Sequence, residues 1–146
     1  MTKEINFDMD GTIANFYGVD GWLEYLLNGD ATPYREAKPL MNFSVLARTL
    51  NKLQKNGYRI CIISWLAKVD NDTFHKKVEQ VKREWLMKHL PSVQWDKITI
   101  VSYGTPKSTC GDGILFDDEE PNRREWAGTA YDVNNILEVL KELCNR

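Results

Sequence analysis

The chain has 146 residues, of which 42% are hydrophobic and 27% charged, an ordinary composition for a globular protein. This length fits one hydrophobic core, so we expect residues 1–146 to form a single domain. The formal net charge of −2 argues against a protein that gathers duplex nucleic acid by charge. No apolar run approaches a membrane span and the N-terminus lacks a signal-peptide pattern, so we expect a cytoplasmic protein without membrane contact.

The first predicted element is a short strand over residues 4–8, and Gly11 ends it. Residues 13–42 are rich in glycine and proline, and the one element expected there is a short helix near 22–27. From 43 to 55 apolar residues recur at helical spacing, so these residues are predicted to form a helix.

Residues 58–64 are almost continuously apolar and β-branched, which is typical of a strand covered on both faces. A long helix is predicted from about residue 72 to 90, because its apolar residues form one stripe and Pro91 follows. We expect the basic residues of this helix to face solvent; they are Lys76, Lys77, Lys82, Arg83 and Lys88.

Two further short apolar runs, at residues 98–101 and 113–116, are predicted strands, and residues 133–143 are predicted to form the last helix. Strands that alternate with helices indicate an α/β fold, in which helices cover both faces of a parallel sheet.

Chemically active side chains follow the predicted strands, whose carboxyl ends meet at one edge of a parallel sheet. These segments are Asp8-Met9-Asp10-Gly11-Thr12, Ser64-Trp65, Lys107 in a loop, and Asp117-Asp118. Each alone has an ordinary explanation, such as a solvated turn, a strand-end serine, a surface lysine or a helix cap. Together they would need a coincidence at four strand ends, and residues 13–19 lack the further ligands of a calcium loop.

Carboxylates that lie close together raise one another's pKa unless a cation lies among them. Mg²⁺ suits such oxygen ligands and usually keeps several waters and a substrate phosphate. Lys107 would offset the remaining negative charge, and Ser64 with the backbone N–H groups near Gly11 and Trp65 can donate to phosphoryl oxygens. The residues therefore predict a site for Mg²⁺ and a phosphate group.

These segments resemble the four motifs of the haloacid dehalogenase (HAD) superfamily of phosphatases. Phe7-Asp8-Met9-Asp10-Gly11-Thr12 is similar to the first motif, Ile62-Ile63-Ser64 to the second, Lys107 to the third, and Ile114-Leu115-Phe116-Asp117-Asp118 to the fourth. The resemblance covers nearly the whole chain. It implies a HAD-like core, which is a Rossmann-like parallel sheet flanked by helices, with a small cap insertion at about residues 15–42.

A narrower resemblance is to the 5′(3′)-deoxyribonucleotidase branch. It rests on residues 81–90, with Trp85, and on the approach to the fourth motif at residues 110–118. Within that approach Asp112 precedes the strand, so we interpret it as a turn residue. The branch implies a 5′-nucleotidase, with a small phosphorylated substrate such as a (deoxy)nucleoside monophosphate.

By the same resemblance, Asp8 attacks phosphorus and forms an aspartyl-phosphate, and Asp10 transfers the protons. Mg²⁺ would be bound by Asp8, the carbonyl of Asp10 and one of Asp117 and Asp118, with Asp118 favoured. Lys107 would act with the two catalytic aspartates. The substrate-binding residues that the resemblance implies are Gly11, Thr12, Ser64, Trp65 and Lys107.

The insertion is smaller than the helical cap of the branch, and cap residues usually supply base recognition. Other substrates therefore stay open, among them a sugar phosphate, a phosphorylated polynucleotide end and a phosphoprotein. A non-catalytic binding protein of the same fold is a further alternative, and a dimer that completes the small cap is not excluded.

Overall fold

The computed structural model describes residues 2–146 and contains one sheet of five strands, all parallel. The strands are β1 (Glu4–Phe7), β2 (Arg59–Trp65), β3 (Lys97–Val101), β4 (Ile114–Phe116) and β5 (Thr129–Tyr131). The helices are α1 (Trp22–Leu27), α2 (Thr32–Glu36), α3 (Phe43–Lys55), α4 (Asp72–His89), α5 (Glu120–Glu125) and α6 (Ile136–Cys144). The protein thus has the predicted α/β fold, a Rossmann-like parallel sheet flanked by helices.

The strand order is β3-β2-β1-β4-β5, so the first strand lies at the centre of the sheet. From β1 the chain builds outward through β2 to β3, and then crosses back to place β4 and β5 on the other side. Neighbouring strands whose connections leave in opposite directions open a crevice at their carboxyl ends, which is where ligands bind in such sheets. Here that crevice lies between β1 and β4.

The main hydrophobic core lies on one face of the sheet, where Ile5, Phe7 and Phe116 point. α3, α6 and the second half of α4 cover this face with apolar side chains; among them are Leu46, Leu50, Trp85, Leu86 and Leu140. On the other face Ile63, Leu115 and Trp126 form a smaller cluster.

Local signals explain where the two longest helices begin. The Asn42 side chain accepts hydrogen bonds from the backbone N–H groups of Ser44 and Val45 at the start of α3. At α4 the Asn71 side chain accepts one from the N–H of Phe74. These caps satisfy donors that have no partner within the helix, and both helices were predicted from the sequence.

The insertion, defined here as residues 15–42, forms a second apolar cluster beside the sheet. Phe16 and Tyr34 pack there against Phe74, Val78 and Val81 of α4. The predicted helix near residues 22–27 is confirmed as α1. The five-residue helix α2 was not predicted, and it packs on α4.

Two other details differ from the predicted elements. The three-residue strand β5 was not predicted, because so short a run shows no apolar alternation. The last predicted helix divides into a 3₁₀ turn at Val133–Asn135 and the α-helix α6. In the part of the chain that the structure describes, no helix has both the length and the apolar character needed to cross a membrane.

Candidate active site

Polar side chains from β1 and β4 meet at the carboxyl edge of the sheet. Asp8 follows β1 directly, and Asp117 and Asp118 follow β4. Each of these three residues offers a carboxylate oxygen within 4.8 Å of the others. The strands are paired in register, with Phe7 opposite Phe116, so the backbone itself brings the acidic groups together.

Lys107 is the cation of this cluster. It lies in a 3₁₀ turn at Lys107–Thr109, and its Nζ is 2.9 Å from Oδ1 of Asp8 and 2.7 Å from Oδ2 of Asp117. Burial acts to lower the pKa of Lys107, but the two carboxylates outweigh it and raise that pKa. Lys107 is therefore a fixed positive charge between two strand ends.

Thr12 and Gly11 contact Asp8 and Asp118. The Thr12 hydroxyl lies 3.0 Å from Oδ2 of Asp8 and 3.2 Å from Oδ1 of Asp118, and it accepts from the Asp118 backbone N–H. Gly11 has φ of +82°, and a Cβ there would lie 2.4 Å from Oδ2 of Asp118. Glycine is thus required at position 11 by both its backbone conformation and the close approach of Asp118.

Asp117 and Asp118 differ in how their oxygens are used. Asp117 is fully buried, and it accepts from Lys107 and Asn122 at Oδ2 and from the backbone N–H of Glu119 at Oδ1. Asp118 is partly exposed and lines the cavity described below. This difference favours Asp118 as a direct metal ligand and Asp117 as a residue that supports the cluster.

The ionised form of the clustered carboxylates is electrostatically unfavourable. Burial, and then the neighbouring Asp8 carboxylate, raise the pKa of Asp118 to about 8 and that of Asp117 to about 6. Carboxylates held this way favour a proton or a cation between them. Clustered carboxylate oxygens are the donors that Mg²⁺ prefers, so Asp8, Asp117 and Asp118 fit that ion by their chemistry.

Asp10 does not join this cluster through its carboxylate. Its Oδ2 lies 3.0 Å from Nζ of Lys82, which also donates to Oγ of Ser64 at 2.6 Å and to the carbonyl of Trp65 at 2.7 Å. Burial raises the pKa of Asp10, and Lys82 opposes that rise. The carbonyl of Asp10, rather than its side chain, was the predicted metal ligand.

The prediction that Lys82 faces solvent is wrong, because only 1% of the residue is exposed. The position of Lys82 among the apolar residues of α4 indicates that it is buried. Val78, Val81, Lys82, Trp85 and Leu86 stand at i, i+3, i+4, i+7 and i+8, which is the apolar stripe of an amphipathic helix. A lysine within such a stripe needs polar partners, and the partly buried carboxyl group of Asp10 is one of them.

A cavity of about 240 Å³ opens beside Asp8, Asp10, Lys107 and Asp118. Its aromatic lining comes from the insertion, through Phe16, Tyr17, Trp22 and Tyr34, and from outside it, through Trp65 at the end of β2 and Tyr103 after β3. The rings of Trp65 and Tyr103 are 4.9 Å apart. The cavity thus combines carboxylates and a lysine with aromatic surface.

The predicted substrate-binding residues fall into two groups. Trp65 and Lys107 line the cavity, whereas Gly11, Thr12 and Ser64 are not among its lining residues. Thr12 and Ser64 have no exposed surface and bind neighbouring side chains. Asp112 accepts from Thr2 and from the N–H of Gly113 before β4, in agreement with its interpretation as a turn residue.

Comparison with protein-family models finds no match to this chain, and comparison with curated proteins finds none either. The function is therefore argued from the geometry of the site.

Proposed function

We propose that the protein is a magnesium-dependent phosphomonoester hydrolase of the HAD type that works through an aspartyl-phosphate on Asp8. One observation carries the proposal: the Asp8 carboxylate lies beside a cavity and next to a buried lysine and two further aspartates. A carboxylate nucleophile that attacks phosphorus needs nearby positive charge, because the phosphoryl group is itself anionic.

The side chains present suit Mg²⁺. Asp8 and Asp118 would hold the ion, with the Asp10 carbonyl as a third ligand, and Asp117 would support them through Lys107. When bound, the ion supplies charge neutralisation for the nucleophile and the phosphoryl oxygens.

The chain's own residues account for both chemical steps. Asp8 attacks phosphorus as the bond to the leaving oxygen breaks, and Asp10 gives that oxygen a proton. Asp10 then takes a proton from water as the water oxygen attacks phosphorus, and the Asp8–phosphorus bond breaks to release phosphate and restore Asp8. Lys107 stays next to Asp8 throughout and offsets the charge on the phosphoryl group.

For the substrate we propose a (deoxy)nucleoside monophosphate, which makes the protein a 5′-nucleotidase. The aromatic lining of the cavity supports this choice, since base–aromatic stacking contributes about 1–3 kcal/mol per base. Tyr103 is half exposed at the cavity, so the exposed part of its ring can offer a stacking surface.

A second substrate class has one observation in its favour. Lys68 lines the same cavity and lies with its Nζ 5.6 Å from the centre of the Tyr103 ring. A cation there would pair with a second phosphate, as at a 5′-phosphorylated polynucleotide end. A sugar phosphate offers neither a base nor that second charge.

The test is phosphate release from nucleoside monophosphates, sugar phosphates and 5′-phosphorylated oligonucleotides, with Mg²⁺ and with chelator. Asp8→Asn should lose release to below about a thousandth of the unaltered protein, as expected when a nucleophile is removed. Asp70→Asn, an exposed position in the loop after β2, is the matched control. No release from any substrate by folded protein with Mg²⁺ would refute the enzyme and favour a non-catalytic binding protein.

A further inference from the structure

α4 contributes a buried cation to the site, and the reaction steps above leave it without a role. Lys82 is nearly inaccessible, and its ammonium group has three acceptors: Oδ2 of Asp10, Oγ of Ser64 and the carbonyl of Trp65. The centre of the Tyr34 ring, from the insertion, lies 5.2 Å from the same Nζ. All three ammonium hydrogens are therefore used.

Such a lysine costs more to bury than an apolar residue would. The position lies in the apolar stripe of α4, where a leucine or methionine would pack without losing a hydration shell. The three hydrogen bonds compensate for this loss only with the lysine in one conformation. Burial of this kind serves orientation, because each acceptor is held in place by the same ammonium group.

The group oriented toward the cavity is Asp10. Lys82 occupies its Oδ2, while Oδ1 accepts no hydrogen bond from residues 2–146, and Asp10 lines the cavity. One oxygen is thus anchored and the other is available to carry a proton. The lysine also donates to Ser64 and to the carbonyl of Trp65 at the end of β2, and these hydrogen bonds hold it in place.

We propose that Lys82 is a positioning residue that holds Asp10 for proton transfer to the leaving group. The proposal rests on the proposed function, since Asp10 transfers protons only if the protein hydrolyses phosphate esters. If this is correct, loss of Lys82 should lower the rate of hydrolysis most for substrates whose leaving group must be protonated.

Two substrates separate this role from a general loss of structure. Nitrophenolate leaves p-nitrophenyl phosphate as a stable anion and needs little protonation, whereas the alcohol of β-glycerophosphate needs it fully. The kinetic quantity is kcat/KM, because it includes departure of the leaving group and excludes later hydrolysis of the aspartyl-phosphate.

For Lys82→Met we expect kcat/KM to fall about 100-fold or more with β-glycerophosphate and less than about tenfold with p-nitrophenyl phosphate. Lys82→Arg should recover part of the difference, because it keeps a cation beside Asp10. Lys77→Met, which removes an exposed lysine of the same helix, should change neither substrate. The ratio of the two rates does not depend on the fraction of protein that is folded.

Equal losses with both substrates would overturn the role of Lys82 and leave the phosphatase intact. An unaltered protein that is inactive on both substrates would overturn the proposed function, and the role of Lys82 with it.

A second experiment tests the contact between Lys82 and Asp10 and needs neither an activity assay nor Lys82→Met. Lysines are labelled with an amine reagent, and the labelling rate of each is measured by mass spectrometry. Lys82 should react more slowly than Lys77, and faster in Asp10→Asn than in the unaltered protein. Reaction of Lys82 at the rate of Lys77 in the unaltered protein would overturn the proposal.

Discussion

Lys107 allows a stability prediction whose size follows from its contacts. The side chain is buried and lies within 2.9 Å of Asp8 and 2.7 Å of Asp117, so Lys107→Met would leave two carboxylates without their cation. Removal of one member of a buried ion pair typically costs about 3–5 kcal/mol. For a chain of this size that loss lowers Tm by about 6–20 °C.

The measurement is thermal unfolding at pH 8 with chelator present. This pH lies above the pKa of about 6 to which Asp117 is raised, so the unaltered protein holds an ionised Asp117 beside Lys107, and Lys107→Met removes that ion pair. Lys77→Met, at an exposed position of α4, is the control and should change stability by less than about 0.5 kcal/mol.

A double substitution identifies the cause of the loss. If the cost is an unpaired buried carboxylate, Lys107→Met combined with Asp117→Asn should be destabilised less than the sum of the two single variants. A fall in Tm of less than about 2 °C for Lys107→Met would refute the reasoning, and so would strict additivity in the double variant.

Three further predictions concern the glycine, the acidic cluster and the cavity. Gly11→Ala should lose about 1–2 kcal/mol from its backbone conformation and also weaken Mg²⁺ binding, because its Cβ would displace Asp118. Gly57→Ala, at another positive φ with no atom within 4 Å of the added Cβ, should show the backbone loss alone in thermal unfolding. Because the raised pKa values of Asp117 and Asp118 make the folded state bind more protons than the unfolded state, metal-free stability should fall as pH rises from about 4 to 8. Mg²⁺ should therefore raise Tm more at pH 8 than at pH 5, and an equal rise at both would contradict this account. Tyr103→Ala should raise KM for a nucleoside monophosphate about tenfold and leave a sugar phosphate nearly unchanged in steady-state assays, whereas equal effects would exclude stacking.

The sheet and its acidic edge were predictable because their signals are local. The apolar runs that became β1, β2 and β4 are bounded by polar residues, and a parallel sheet brings their carboxyl ends to one edge. The positions of Asp8, Asp117 and Lys107 followed from that rule alone. Their separate roles did not, because the partners of Asp117 on α5 are a matter of side-chain packing.

The environment of Lys82 shows where sequence reasoning failed. A charged side chain usually indicates an exposed position, whereas Lys82 lies in the apolar stripe of α4. Its anion, Asp10, is 72 residues away in sequence, so no local pattern joins the two. Helix α2 of the insertion was similarly difficult, since it is held by contacts with α4 rather than by its own periodicity.

The central place of β1 has a consequence for how the chain is made. β1 is synthesised before the other four strands of this sheet, yet one of its two neighbours, β4, begins only at Ile114. A nascent chain that has already paired β1 with β2 still presents one open edge of β1 to other chains. Slow synthesis between residues 66 and 113 should therefore promote aggregation.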